Sequence, residues 1–250
     1  NNMKFIKLNE SLYIPLLYVA ILNFIINNPL SSPRFHYLGM TIGILLVFGY
    51  LLKPMYKTIL AIASPFFLYF VFPWIKSLGQ ESKVATNDLL SYLTTGVDYD
   101  CMVQLINIYQ YVNNGNYSFG SNIMGGIAFF VPRDIWLNKP IHLGALSSEY
   151  AGLLYTNLSA PWPGELYYIL GYPSLILGAF LSGYAYAKID FILMNSKNTI
   201  SYGISVISTG FIFIVLRGAF GAVFPLIFLS ISVFFSFMLL IQNGKKYRYI

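Results

Sequence analysis

Arg133, Lys139, His142 and Glu165 are the side chains best suited to chemistry, and all lie in a polar island, Val131 to Gly171, of an otherwise apolar chain. A guanidinium stays charged and presents forked donors that match phosphate oxygens. Arg133 follows Pro132, and Trp136 and Pro140 stiffen what comes after it. Lys139 offers a second cation. His142 titrates near neutrality and can take a proton from a hydroxyl. Glu165 follows Pro161-Trp162-Pro163-Gly164 at the head of an apolar run, where a carboxylate could orient or deprotonate an acceptor. Each residue also has a plainer reading. Cations at a membrane edge set topology, a histidine there can be polar surface, and an acid in a helix's first turn is favoured by the dipole.

Arg217 stands between two apolar runs, beside Gly218 and Gly221. A charge at that depth costs about 2.5–3.5 kcal/mol even on the lenient insertion scale, so it marks function unless it snorkels outward. Asp98-Tyr99-Asp100 has the form of a weak two-carboxylate motif for a divalent cation, although Asp98 equally suits a helix cap. The single cysteine, Cys101, excludes an internal disulfide and a cysteine-based metal cage. No glycine-rich phosphate loop, HExxH or GxSxG is present, so nucleotide hydrolysis and the common hydrolase triads have no support. No cofactor is implied.

The rest of the chain must hold this island at one face of a bilayer. It is 57% hydrophobic and 10% charged, against roughly 25% charged in soluble domains. The pattern predicts an all-α integral membrane protein of six spans with a long, partly helical outer loop. The spans are Leu12 to Ile26, Tyr37 to Leu52, Tyr56 to Trp74, Leu166 to Ala187, Ile200 to Leu216 and Ala219 to Ile241. This divides the chain into three spans over 1–75, a loop over 76–163 and three spans over 164–250. The first run lacks a small-residue cleavage site and reads as a retained helix. In the loop, Asp98 to Val112 is predicted to be an amphipathic helix with Met102, Leu105, Ile106, Tyr109 and Val112 as its apolar face. Ile123 to Val131 reads as a second interfacial piece. Lysines crowd one set of loops (Lys4, Lys7, Lys53, Lys57, Lys188, Lys197, Lys245, Lys246). The positive-inside rule then places both termini in the cytoplasm and the long loop outside. The net charge of +6 is spread over these loops, which sets topology and gives no basis for nucleic-acid binding.

Two segments, VPRDIWLNKPIHLG and SAPWPGELYYILGY, resemble the bacterial O-antigen and capsule repeat-unit polymerases, the Wzy family. In that family an outer loop carries Pro-Arg, a Trp, Lys-Pro and a Gly eleven positions after the Arg, matched here by Arg133 and Gly144. Glu165, Tyr168 and Gly171 match the head of the family's next span, and Gly115 and Tyr117 the approach to its Arg motif. The likeness covers residues 88–185. Ile169-Leu170 stands where an Asn is common, and the family has more spans than the six counted here, so the chain resembles a C-terminal portion or a short form. The resemblance implies a glycosyltransferase of the bacterial inner membrane whose partners are undecaprenyl pyrophosphate-linked oligosaccharide, the bilayer, and chain-length regulator and flippase proteins. It implies that Arg133, Lys139, Gly144 and Arg217 hold pyrophosphate, that Glu165 or His142 serves the acceptor hydroxyl, and that Trp136, Trp162, Tyr150, Tyr155 and Tyr167 stack on sugar. An O-antigen ligase-like transferase and a carrier for lipid-linked sugars are the alternatives.

Overall fold

The computed structural model describes residues 100–153 and 158–246, with side chains to 240, and the isolated helical positions Tyr18, Ile21, Leu22, Ile25, Met55 and Ile59. Apart from those isolated positions, the three N-terminal spans lie outside the described residues, as do Asp98 and Tyr155. Residues 88–250 form a compact unit of their own. Its described part is all-helical: α1 Cys101–Asn113, α2 Ser121–Ile127, α3 Leu143–Tyr150, α4 Trp162–Leu170, α5 Tyr172–Asn195, α6 Thr199–Gly210, α7 Ile212–Arg217 and α8 Phe220–Lys246.

Two of these helices are long and apolar enough to cross a membrane: α5, and Phe220–Leu240 of α8. At 1.5 Å per residue they reach about 36 and 31 Å, matching a hydrocarbon core of roughly 30 Å. Their large apolar side chains, such as Phe180, Leu181, Val233 and Leu240, are exposed. So broad an apolar surface is foreign to a soluble monomer and fits contact with lipid.

The span expected over Leu166 to Ala187 is two helices. Gly171 takes a positive φ of 74°, and Pro173 in the first turn of α5 has no N–H for the Ile169 carbonyl. The carbonyls released by this break are not left empty. Ser118 N–H donates to Tyr168 O at 2.9 Å and Phe119 N–H to Ile169 O at 3.1 Å, so the 114–120 loop docks on the end of α4. The run expected over Ile200 to Leu216 divides at Phe211 into α6 and α7. Ser205, Ser208 and Thr209 each donate back to a carbonyl four residues earlier, a pattern that bends helices, and Gly210 follows.

The amphipathic helix of the loop exists as α1, but the expected apolar face is mostly the outer one. Gln104, Ile108 and Val112 are buried, whereas Met102, Ile106 and Tyr109 are exposed. A polar residue takes an inner position: Ser147 of α3 donates to Gln104 Oε1 at 2.9 Å, while Gln104 Nε2 is buried without a partner among the described residues. The core joins Ile108 and Val112 of α1 to Leu143 of α3, Tyr167 and Tyr168 of α4, and Ala219. The second interfacial piece appears as the short α2, which packs on α8.

Candidate functional site at the Arg217–Gly221 break

The apolar run breaks after Arg217, and the residues of that break collect partners from three other segments. Arg217 Nη2 pairs with Asp100 Oδ1 at 3.0 Å. The other Asp100 oxygen accepts the Ser159 N–H at 2.8 Å. The Phe220 N–H, one of the donors a helix start leaves without an intrahelical partner, is bound by Glu165 Oε1 at 3.1 Å. The Phe220 ring lies 5.8 Å from that of Trp162. Gly221 faces His142 so closely that an added Cβ would stand 2.7 Å from Nδ1; only glycine admits the imidazole there. Three of the residues singled out in the sequence, Glu165, His142 and Arg217, therefore meet around one turn of backbone at the head of a helix long and apolar enough to cross a membrane.

Glu165 is 2% exposed. Its Oε2 accepts from Asn122 Nδ2 at 2.6 Å, and Ser118 Oγ, by donating to Asn122 Oδ1 at 2.8 Å, orients that amide. Burial pushes the Glu165 carboxyl up from its ordinary range, and the Asn122 and Phe220 hydrogen bonds pull against that shift without cancelling it. With both oxygens engaged, Glu165 ties α2, α4 and α8 together. It does not present a free base.

His142 precedes α3 and is exposed. Partial burial, then the positive charges of Arg133 and Lys139, lower its pKa below the ordinary value. At neutral pH the ring is therefore uncharged and carries a lone pair, which a general base requires. Of the two residues expected to serve an acceptor hydroxyl, His142 is the exposed one, whereas both oxygens of Glu165 are engaged.

Arg133 and Lys139 shape their own loop. Arg133 Nη1 donates to Lys139 O at 2.8 Å and Nη2 to Pro140 O at 3.3 Å. Lys139 Nζ donates to Phe129 O at 2.9 Å and Val131 O at 2.8 Å. Carbonyls are neutral, so both positive charges remain uncompensated, and among the described residues neither cation joins an ion pair. The loop rests on α8 through Phe129 and Phe228, 5.7 Å apart, while Phe130, Ile135 and Leu137 stand exposed.

The remaining candidates have packing roles. Gly144 is buried where a Cβ would strike the Leu158 carbonyl oxygen. Trp162 Nε1 donates to Ser182 Oγ at 2.8 Å, which leaves its ring between α4, α5 and Phe220. Trp136 is half-buried in the Arg133 loop. Asp100 faces a guanidinium and an N–H, an arrangement that recognises an anion's oxygens and is opposite to a metal site. No group of three or more His, Cys, Asp or Glu side chains gathers for a metal among the described residues.

Against known proteins, no family model, no curated protein and no solved structure matches this chain. Residues missed in the sequence are Ser118, Asn122 and Phe220. Asn122 leaves a trace, being a lone amide at the edge of an apolar segment. The Phe220 N–H leaves none, because its role is set by where α8 begins.

Proposed function

We propose that the chain is a glycosyltransferase of the bacterial inner membrane that extends a lipid-linked glycan, as its resemblance to the repeat-unit polymerases implies. The observation that carries this reading is the meeting of His142, Arg217 and Glu165 around the Arg217–Gly221 break, beside a loop with two uncompensated cations. In the reaction the acceptor sugar hydroxyl loses its proton to the neutral His142 imidazole. Its oxygen forms a bond to the anomeric carbon of the donor glycan, and the bond from that carbon to the pyrophosphate oxygen breaks. Lipid pyrophosphate leaves with its charge facing Arg217, Arg133 and Lys139. Glu165 holds the start of α8, and so the distance between Arg217 and His142. Exposed Phe130, Ile135 and Leu137 would set the loop against the bilayer surface, within reach of the carrier's pyrophosphate.

The proposed topology has six spans, cytoplasmic termini and the 76–163 loop outside, with a flippase and a chain-length regulator as partners. Charged residues along mid-membrane paths, the mark of a carrier, are missing from 172–187 and 220–240, which favours a transferase. The test is glycan profiling of cells that carry the chain as His142→Ala or Arg217→Ala in place of wild type. Loss of long chains with single capped repeats remaining is expected. Unchanged chain lengths in both variants would sink the proposal, and long polymer retained on carrier lipid would mark a ligase instead.

A further inference from the structure

One end of α4 carries an aromatic surface that the proposed reaction does not use. The Tyr109 ring stacks on Tyr167 at 5.6 Å, and Tyr167 meets Tyr172 edge-on at 5.2 Å. Tyr167 Oη donates to Asn113 Oδ1 at 2.8 Å. Tyr109 and Tyr172 remain 46% and 58% exposed, so ring faces and hydroxyls are presented together. Next to them, Tyr117 lies against Gly171 and is also exposed.

The two segments that carry this surface are nearly free of charge. Residues 101–120 and 162–187 hold one charged side chain, Glu165, and it is buried. A pyrophosphate or an anionic headgroup would find no cation on these two segments. An interfacial aromatic belt also presents tyrosines, and shielding by the bilayer tells the two apart. Stacked rings interleaved with hydroxyls and amides, without charge, fit the alternating C–H faces and hydroxyls of an uncharged sugar.

We propose that Tyr109, Tyr172 and Asn113, backed by the buried ring of Tyr167, form a binding platform for a neutral glycan at the C-terminal end of α4, which holds the saccharide chain while its end is at the His142–Arg217 site. This rests on the transferase reading only for the identity of the polymer. It adds that the repeat unit bears no acid groups on the stretch that lies across the platform.

The experiment uses the full chain in lipid nanodiscs. The probe is the oligosaccharide pool released by mild acid from the producing cells' lipid-linked glycan and split by anion exchange into neutral and acidic fractions. Wild type should bind the neutral fraction, Y109A/Y172A about tenfold more weakly, and Y109F/Y172F, which keeps the rings, nearly as well as wild type. In parallel, water-soluble N-acetylimidazole should acetylate Tyr109 and Tyr172 of wild-type protein, and the neutral fraction should protect them; this readout decides the matter if the alanine pair does not fold. Three results would overturn the platform: binding of the acidic fraction alone, equal binding by the alanine pair, or tyrosines shielded by the bilayer without glycan. Any of them alongside intact chain extension in cells would leave the transferase reading standing, whereas neutral-glycan binding with unchanged chain lengths in His142→Ala and Arg217→Ala cells would separate the two the other way.

Discussion

At the scale of single residues, the carboxyl of Glu165 decides most. Its two oxygens meet two donors, Asn122 Nδ2 and the Phe220 N–H. Glu165→Ala leaves both donors buried and unpartnered, which should destabilise the folded protein by about 2–4 kcal/mol. Glu165→Gln should cost much less, because Asn122 can turn its amide over, presenting Oδ1 to the new amide while Nδ2 donates to Ser118 Oγ. Thermal unfolding of the detergent-purified variants checks the order, and equal losses would refute the clamp. The same carboxyl gives a pH signature. Its folded pKa is raised above the unfolded value, so from the folded pKa down to the ordinary carboxyl range the folded state binds more protons than the unfolded. Stability should rise as pH falls through that window. Wild type should show this gain relative to Glu165→Gln, and parallel pH curves for the two proteins would contradict it. His142 works in the opposite sense, because cations and burial lower its pKa. Removing the cations as Arg133→Ala/Lys139→Ala should move its imidazole titration, followed by NMR, upward toward 6.5.

Among the helices, breaks matter more than lengths. The end of α4 depends on Gly171 at φ 74°, ψ −141°, a conformation close to one that only glycine enters freely. Gly171→Ala should cost on the order of 1–3 kcal/mol and loosen the docked 114–120 loop, seen as faster amide exchange at Ser118 and Phe119. Unchanged exchange there would show that the loop is held by other means. How much of this was readable in the sequence varies by element. The Arg217–Gly221 break was legible because a charge and two glycines interrupt an apolar run. The break at Gly171 had its signal in Gly-Tyr-Pro, but the continuous hydropathy on both sides outweighed it. The inner face of α1 departs from hydropathy alone: the helix turns Gln104, Ile108 and Val112 inward, with Gln104 Oε1 bound by Ser147, while Met102 and Ile106 stay outside. Arg133 and Lys139 were legible as cations, but their use as staples on their own loop's carbonyls was not, since it depends on how that loop turns back. His142 and Glu165 could be chosen by type, while their division of labour depends on contacts to residues 220–221 that lie far along the chain.

For the whole molecule, the open quantity is which side of the membrane each segment faces, and the chain suits the measurement because Cys101 is its single cysteine. The α5 helix, with a membrane-crossing length, separates the cation-bearing loop before α3 from the turn that follows Asn195. In the proposed topology those two places lie on opposite sides. Asn138 and Lys197 are both exposed, so a cysteine at either should react wherever reagent can reach it. In a Cys101→Ser background, Asn138→Cys should label with a membrane-impermeant maleimide on intact cells freed of any outer membrane. Lys197→Cys should label only after the membrane is opened. The lysines on the Lys197 side supply the reason for this direction, since positive loops are retained in the cytoplasm. Labelling of both sites in sealed cells would mean that α5 lies along the membrane and does not cross it. The reverse pattern would put His142 and Arg217 on the cytoplasmic face, away from lipid-linked repeat units delivered outside, and would rule out the proposed reaction more directly than any active-site variant.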